Sequence, residues 1–358
     1  MKSSNSLWNL TLRKFKKNKT GLFSFSYIIL CGLVALFCYV LAPDNSNSAN
    51  QMHIEIHSKD PGFSTKMLTL PDEQNKKSNT WISILFNGKE ASSNEIPIIS
   101  YEVSEELLSI KKYDGSVKDF KLEIFQNNPE NFISEKTFLL GTDKFGRDLL
   151  SRILIGTRIS FSIGFIAVLI SLLIGIPIGA IAGYFGGKID TFVMWLTNIT
   201  WSIPTLLLVI AITLTLGKGF WQVFIAVGLT MWVEVARIVR GQVITTKQQQ
   251  YIEAAKALGY SHSRIIFKHI LPNILAPIIV ISAANFAAAI LIESGLSFLG
   301  IGAQPPTPSW GAIIKNHYNY IILGKPFLAL APGFAIMSLV MAFMLLGNSL
   351  RDALDVKA

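Results

Sequence analysis

"QQQYIEAAKALGYSHSRIIFKHILPN", residues 248–273, lies between two of the most apolar stretches of the chain. "YIEAAKAL" (251–258) is built of strong helix formers. Gly259 follows, the residue expected to take the left-handed turn at a helix C-terminus. Ser261 is placed to cap a second helix, "HSRIIFKHIL" (262–271), and Pro272 closes that helix and opens the next apolar run. The stretch therefore reads as two short, charged helices joined at a glycine corner. Short helical connectors are common, but this spacing is compound. Glu253, Ala254 and Ala255 are followed, after three residues, by Gly259 and, twelve residues beyond that, by Leu271-Pro272. A charged, small-residue helix pair between membrane-length segments reads as a handle for something outside the chain.

The composition supports the membrane setting. Of 358 residues, 51% are hydrophobic and 15% charged, against about a quarter charged in soluble domains. Net charge is +9. The basic residues flank apolar runs, which is the pattern of cytoplasmic loops and excludes nucleic-acid binding as the main reading.

Six spans are predicted, over 21–42, 158–185, 191–216, 220–240, 272–300 and 326–350. The first is too long for a signal-peptide core, so it reads as an uncleaved span after a cytoplasmic tail, 1–20. Arg13, Lys14, Lys16, Lys17 and Lys19 put that tail in the cytoplasm. Arg237, Arg240, Lys247, Lys256, Arg264 and Lys268 put the 245–272 loop there, and the tail 351–358 follows. Arg147, Arg152 and Arg158 fall on the opposite side, against the rule, and the stretch 145–157 is expected to lie along the interface. Pro177 and Pro204 suggest kinks.

Residues 43–140 are polar and read as a small β-rich insert outside the cytoplasm. "TWISILF" (80–86), "IPIISYEV" (96–103) and "VKDFKLEIF" (117–125) alternate like half-buried strands, and "YDGS" (113–116) reads as a hairpin turn. His53, Glu55 and His57 in "HIEIH" would share a strand face. A solvated face is the better reading there, and a zinc site the sharper one.

In "GTDKFGRD" (141–148) a metal or catalytic role would need more ligands at loop spacing. Asp143, Arg147 and Asp148 read instead as a structural brace at the outer mouth before the second span, with Gly146 allowing a turn. Gly175, Gly179 and Gly183 repeat every fourth residue and make a smooth face for helix packing, within the chain or against a neighbouring chain. Glu293, in the fifth span, faces a pathway or pairs with a neighbouring subunit. Glu234 and Arg237 are placed to pair with each other near the cytoplasmic end of the fourth span. Cys31 and Cys38 share a helix face and read as packing residues. "QPPTPSW" (304–310) is a stiff outer loop, either a connector or a contact for a partner outside the membrane.

Six stretches, in this order, resemble the C-type permease subunit of dipeptide and oligopeptide ABC importers (the peptide/nickel family). They are "GTDKFGRDLLSRILIGTRIS" (141–160), "GYFGGKID" (183–190), "EAAKALG" (253–259), "HILPN" (269–273), "LSFLGIGAQPPTPSWG" (296–311) and "LRDALD" (350–355). His269 stands where the generic pattern has Ile, which is usual in the peptide-importer branch. The resemblance covers nearly everything outside 43–140.

It implies an all-α polytopic fold of the type I permease kind in the bacterial inner membrane, with 141–350 as the permease core. It also implies a B-type permease as heterodimer partner, two ATPase subunits below and an extracytoplasmic peptide-binding protein above. Glu253, Ala254, Ala255, Lys256, Gly259 and Pro272 would form the ATPase-coupling site, with Ala257 among the small residues that admit a partner. Transport would follow alternating access. No G-x-x-x-x-G-K-[ST] occurs, so ATP and Mg are expected on the partners, with no cofactor and no catalysis in this chain. Nickel, glutathione or a peptide-like antibiotic are alternative cargoes. A membrane sensor or channel using the insert is the rival outside the class.

Overall fold

The computed structural model describes residues 7–71, 80–89, 95–126, 128–217 and 219–354. It divides into two compact units. One comprises Met1–Gly32, Ser160–Gln304 and Ile336–Ala358, and the other Leu33–Ile159 and Pro305–Ala335.

The chain opens with α1 (Leu7–Lys17), α2 (Lys19–Leu36) and the single turn α3 (Cys38–Leu41). Next come β1 (Phe63–Thr69), α4 (Trp81–Asn87), β2 (Glu95–Val103), β3 (Leu107–Lys112), β4 (Val117–Lys121) and β5 (Ile133–Phe138). The rest is helical: α5 (Leu149–Phe185), α6 (Gly187–Ser202), α7 (Thr205–Leu216), α8 (Phe220–Lys247), α9 (Gln250–Ala257), α10 (His262–Arg264), α11 (Leu275–Leu299), α12 (Trp310–His317) and α13 (Phe327–Leu354).

Among the described residues five helical runs are long and apolar enough to cross a membrane: α2, α5, α8, the run His262–Leu299 and α13. α6 and α7 make a sixth when taken as one span, bent by 91°. The break has a local cause. Pro204 lacks an N–H and forces the residue before it out of helical geometry, and Ile203 is extended, with φ −89° and ψ 128°. Pro177 acts differently, since α5 continues unbroken through it. Transmembrane prolines are tolerated where neighbours satisfy the freed carbonyl.

The small sheet is antiparallel throughout, in the order β4-β3-β2-β1-β5. Leu68, Ile98, Leu108, Ile110 and Phe125 form its core. "YDGS" is the β3–β4 turn, with Gly115 at φ +84°.

Three expectations are corrected. "TWISILF" is the helix α4, not a strand. Leu85 is its one buried residue, Gly88 at φ +76° stops it, and Arg158 Nη1 donates to the last-turn carbonyls of Leu85 (3.5 Å) and Phe86 (2.7 Å). "HIEIH" is a 3₁₀ turn over Ile54–Ile56 with Ile56 fully buried, so the histidines share no strand face. The end of 145–157 is no separate interfacial helix, because α5 begins at Leu149 and carries straight into the span.

Candidate functional site

The 248–273 handle belongs to the first unit. α9 turns one face inward. Ile252 and Ala255 are buried with Ile265, Ile266, Ile270 and Ile274, against Ala180 and Tyr184 of α5 and Val235, Val239 and Val243 of α8. Glu253, Ala254, Lys256 and Ala257 point out and are exposed. Ala255 is therefore not offered to a partner: the i, i+3 spacing from Ile252 puts it on the inward stripe, and its small side chain lets α9 lie close to its own core. Three exposed apolar residues went unremarked in the sequence, Tyr251, Leu258 (71% exposed) and Phe267 (68%). The signal was there, because they fall off the Ile252/Ala255/Ile265/Ile266/Ile270 stripe yet are large and apolar.

Gly259 takes φ +74° and reverses the chain, and the Gly259 and Tyr260 N–H groups donate to the carbonyls of Lys256 (2.9 Å) and Ala255 (3.1 Å). A Cβ at Gly259 would meet nothing within 4 Å. The glycine is required by conformation and not by crowding. Ser261 Oγ accepts from Arg264 N–H, capping the second helix. Pro272 then perturbs what it enters. It has no N–H and crowds the carbonyl a turn back. The backbone widens to a π-helix over Ile265–Ile270, then tightens to 3₁₀ over Leu271–Ile274. Asn273 Nδ2 donates to the His269 carbonyl at 2.6 Å. Tyr184 Oη and His262 Nδ1 are 2.9 Å apart, and Lys247 Nζ donates to the Tyr184 carbonyl, so the corner is also fixed to the end of α5 by polar contacts.

The glycine stripe supports this arrangement. A Cβ on Gly175 would lie 2.7 Å from the Trp232 carbonyl oxygen, on Gly179 2.4 Å from that of Ala236, and on Gly183 2.7 Å from that of Arg240. Both series advance by four residues, so the stripe of α5 tracks the backbone of α8 over two turns. α6 is tied to α8 by Arg240, which pairs with Asp190, and by Arg237, which donates to Asn198 Oδ1 at 2.6 Å and stacks 3.7 Å from the Trp201 ring centroid. Arg237 thus turns to α6, and among the described residues no ion pair joins it to Glu234, contrary to the sequence reading. Glu293 lines no open surface. It is fully buried, and its Oε1 accepts from Ser297 Oγ at 2.6 Å.

"GTDKFGRD" belongs to the second unit and is a buried clamp. Asp143 is fully buried. Its Oδ1 accepts the N–H groups of Phe145 (2.8 Å) and Arg147 (3.0 Å), and its Oδ2 the Arg147 guanidinium (Nε 2.7 Å, Nη2 2.6 Å). Arg152 Nε is 3.8 Å from the same oxygen. Both arginines also hold the segment after α3. Arg147 donates to Asn50 Oδ1 at 2.9 Å, and Arg152 to the carbonyls of Ser48 and Ala49, residues at φ +64° and +43°.

Gly146 is pressed so close to His53 that a Cβ would sit 1.7 Å from its carbonyl oxygen. Asp148 Oδ2 accepts from the N–H and hydroxyl of Ser151, and Ser151 Oγ accepts from Asp44 N–H at 2.8 Å. Burial pushes the Asp148 carboxyl up from its ordinary range, against those hydrogen bonds. His53 is buried near Glu95 at 4.0 Å, and burial holds its pKa below the ordinary histidine value. Among the described residues no group of three His, Cys, Asp or Glu side chains is gathered for a metal.

Residues 175–358 match the family described as the inner membrane component of binding-protein-dependent transport systems. The chain belongs to that family. Residues 6–61 further match the N-terminal transmembrane domain of oligopeptide transport permease C, which places this permease in the C-type branch and makes it a multi-pass membrane subunit of an ABC importer. It is 42% identical over 234 residues to the dipeptide transport system permease protein DppC of Alkalihalophilus pseudofirmus, spanning 65% of this chain and 77% of the relative. It is 41% identical over 218 residues to the glutathione transport system permease protein GsiD of Pectobacterium atrosepticum, 61% and 72% of the two chains. It is 40% identical over 222 residues to the oligopeptide transport system permease protein OppC of Bacillus subtilis, 62% and 72% of the two chains. A chain of the inward-facing MetNI methionine ABC transporter aligns with 57% of this permease and 97% of itself at TM-score 0.46 and 19% identity, too loosely to bear on any residue.

Proposed function

We propose that this permease is one of two membrane subunits of an ATP-driven importer of dipeptides or oligopeptides, and that 245–272 is its drive handle. The observation that carries the handle is the two-faced build of α9. Its inner face is locked into α5 and α8, while Glu253, Ala254, Lys256, Leu258 and Phe267 remain exposed. A cytoplasmic ATPase seated on that outer face would move α5 and α8 as one piece. ATP and Mg bind on two such ATPase subunits, and hydrolysis happens there. A B-type permease completes the pathway, and a peptide-binding protein delivers cargo from outside. The termini and the handle lie in the cytoplasm, and 43–140 lies outside, where it would receive the binding protein. A glutathione-transport relative at 41% identity fits the same cargo class, since glutathione is itself a tripeptide.

The test is purification of the tagged chain from its native membrane in mild detergent, with mass spectrometry of what accompanies it. Two ATPase chains or two copies of one, a second multi-pass permease and a peptide-loaded binding protein are expected. Recovery of the chain alone, under conditions that keep other ABC importers whole, would overturn the coupling reading.

A further inference from the structure

α8 carries a carboxylate among apolar residues. Glu234 lies on the 28-residue helix Phe220–Lys247, one turn before Arg237. Val233, Val235 and Ala236 around it are buried, while Glu234 is exposed. A carboxylate on a span does not face lipid; it faces water or a partner group. Here it opens on a cavity of about 150 Å³, lined also by Thr200, Trp201, Thr205 and Thr230. That cavity sits at the break between α6 and α7, where the span turns by 91°. A break in a span releases backbone polar groups, and secondary transporters build substrate sites at such breaks.

The notch has a donor side, where α7 begins at Thr205 and the Trp201 indole lies, and an acceptor side gathered around Glu234. Thr200 Oγ1 donates to the Leu196 carbonyl at 3.0 Å, and Thr230 Oγ1 to that of Val227 at 2.8 Å. Each hydroxyl has used its single proton within its own helix, so it presents only lone pairs to the cavity. Glu234 adds two acceptor oxygens, and α6, ending at Ser202, adds the negative end of its helix. Arg237, one turn on, gives Nη2 to Asn198 and stacks on Trp201, while its buried Nε keeps a free donor. The ion pairs formed by the described residues do not include Glu234. A carboxylate that opens on a cavity without an ion-pair partner takes a cationic donor, and every unmodified peptide brings one, its N-terminal ammonium.

We propose that Glu234, with Thr200, Thr205 and Thr230, forms a membrane-embedded subsite for the ammonium group of the transported peptide. The inference rests on the peptide-importer reading above. It adds a residue at which the peptide is held inside the membrane, after it has left its delivery protein.

The test uses the complete transporter in nanodiscs, with Cys31→Ser and Cys38→Ala as a background first shown to transport. In that background Glu234→Cys is treated with a cationic, water-soluble thiol reagent, without the binding protein. Modification is expected to proceed, and a millimolar tripeptide with a free amino terminus is expected to slow it at least fivefold, while the N-acetylated tripeptide does not. In transport, Glu234→Gln is expected to lower the maximal uptake rate at least tenfold with KM within twofold, because the delivery protein sets KM, and Glu234→Asp to recover at least a third of the rate.

Three results would each overturn the proposal: equal protection by both peptides, protection by neither, or a cysteine that does not react in the assembled transporter. The last would make Glu234 a contact with the second membrane subunit. Peptide uptake by the unmodified transporter is measured alongside. Its absence would sink the importer reading, whereas its presence with any of those three results sinks only the subsite.

Discussion

Replacing Asp143 with Asn tests the clamp with an almost isosteric change. Asp143 is fully buried, and Arg147 and Arg152 are 4% and 5% exposed. The amide keeps an oxygen at Oδ1, so the N–H bonds from Phe145 and Arg147 survive. At Oδ2 it places an NH₂ group against the Arg147 guanidinium, whose Nε and Nη2 lie 2.7 and 2.6 Å away. Two buried cations then lose their carboxylate. Removing one partner of a buried pair costs about 3–5 kcal/mol. Asn50, Ser48 and Ala49 hang on those arginines, so the cost is expected as opening of the 44–60 segment.

At about 1.4 kcal/mol per tenfold, the opened fraction should rise about a hundredfold or more. Native-state proteolysis followed by mass spectrometry reads this as the cleavage rate within 44–60. Arg147→Met alone should be comparably severe, and the double variant should cost clearly less than the two singles added, because it removes one of the stranded charges. Cleavage of the Asp143→Asn variant within threefold of the unmodified chain, or strict additivity in the cycle, would refute the clamp.

Other outcomes are expected elsewhere. Gly179→Ala gains about 1 kcal/mol of helix propensity, but its Cβ would sit 2.4 Å from the Ala236 carbonyl oxygen; overpacking costs about 1–3 kcal/mol, so lower resistance to SDS unfolding is expected, with Gly179→Val worse. Gly259→Val should insert normally but abolish uptake and loosen ATPase co-purification, since a β-branched side chain at φ +74° strains the corner by about 1–2 kcal/mol; normal uptake would contradict the handle. His317 is buried, with Nε2 accepting Lys144 N–H at 3.3 Å and Nδ1 2.7 Å from the Ile313 carbonyl, and burial holds its pKa below the ordinary value. Its neutral form belongs to the fold, so its contribution is whole above about pH 6.5 and lost as pH falls toward the folded value; the drop in melting temperature from pH 7.5 to 5.5 should shrink in His317→Gln. Phe63 and Phe138 are registered partners in β1 and β5, so excising 63–138 leaves ends that a short Gly-Ser link can join; the clamp should survive by the proteolysis assay, while uptake should fall if the sheet receives the binding protein.

Much of this was legible because it is written in single segments. Apolar runs of membrane length need no partner to be recognised, and the spacing of Glu253, Ala254, Ala255 and Gly259 lies within one loop. A glycine needing positive φ can be read from the glycine itself, and Gly259 and Gly115 adopt it. What resisted was set by residues far along the chain. "TWISILF" alternates well enough for a strand, but Arg158, about seventy residues later, takes the carbonyls that end it as a helix. Ala255 looked like a docking surface because its inward neighbours, Ile265 and Ile270, come after the corner. Arg147 and Arg152 offended the charge rule for spans because their charge is consumed inside the clamp. Glu234 and Arg237 looked like a pair because the competing partners, Asn198 and Trp201, sit on a helix whose bend the sequence only hinted at.

The first unit also shows how a push on the handle could reach the Glu234 cavity. α9 is sunk into the ends of α5 and α8 through Ile252 and Ala255. α5 cannot slide freely on α8, because three glycines sit against three successive backbone carbonyls one turn apart. α6 follows α8 through Asp190–Arg240 and Asn198–Arg237. α7 rides on α8 as well, since Val209 is buried with Val223, Ala226 and Val227. Both arms of the bent span are therefore held by α8, and a displacement of α9 would reach the Glu234 cavity through α8 itself. A group on α8 is then moved with the handle, and it can hold cargo in one state and release it in the other only if its contacts differ between the two.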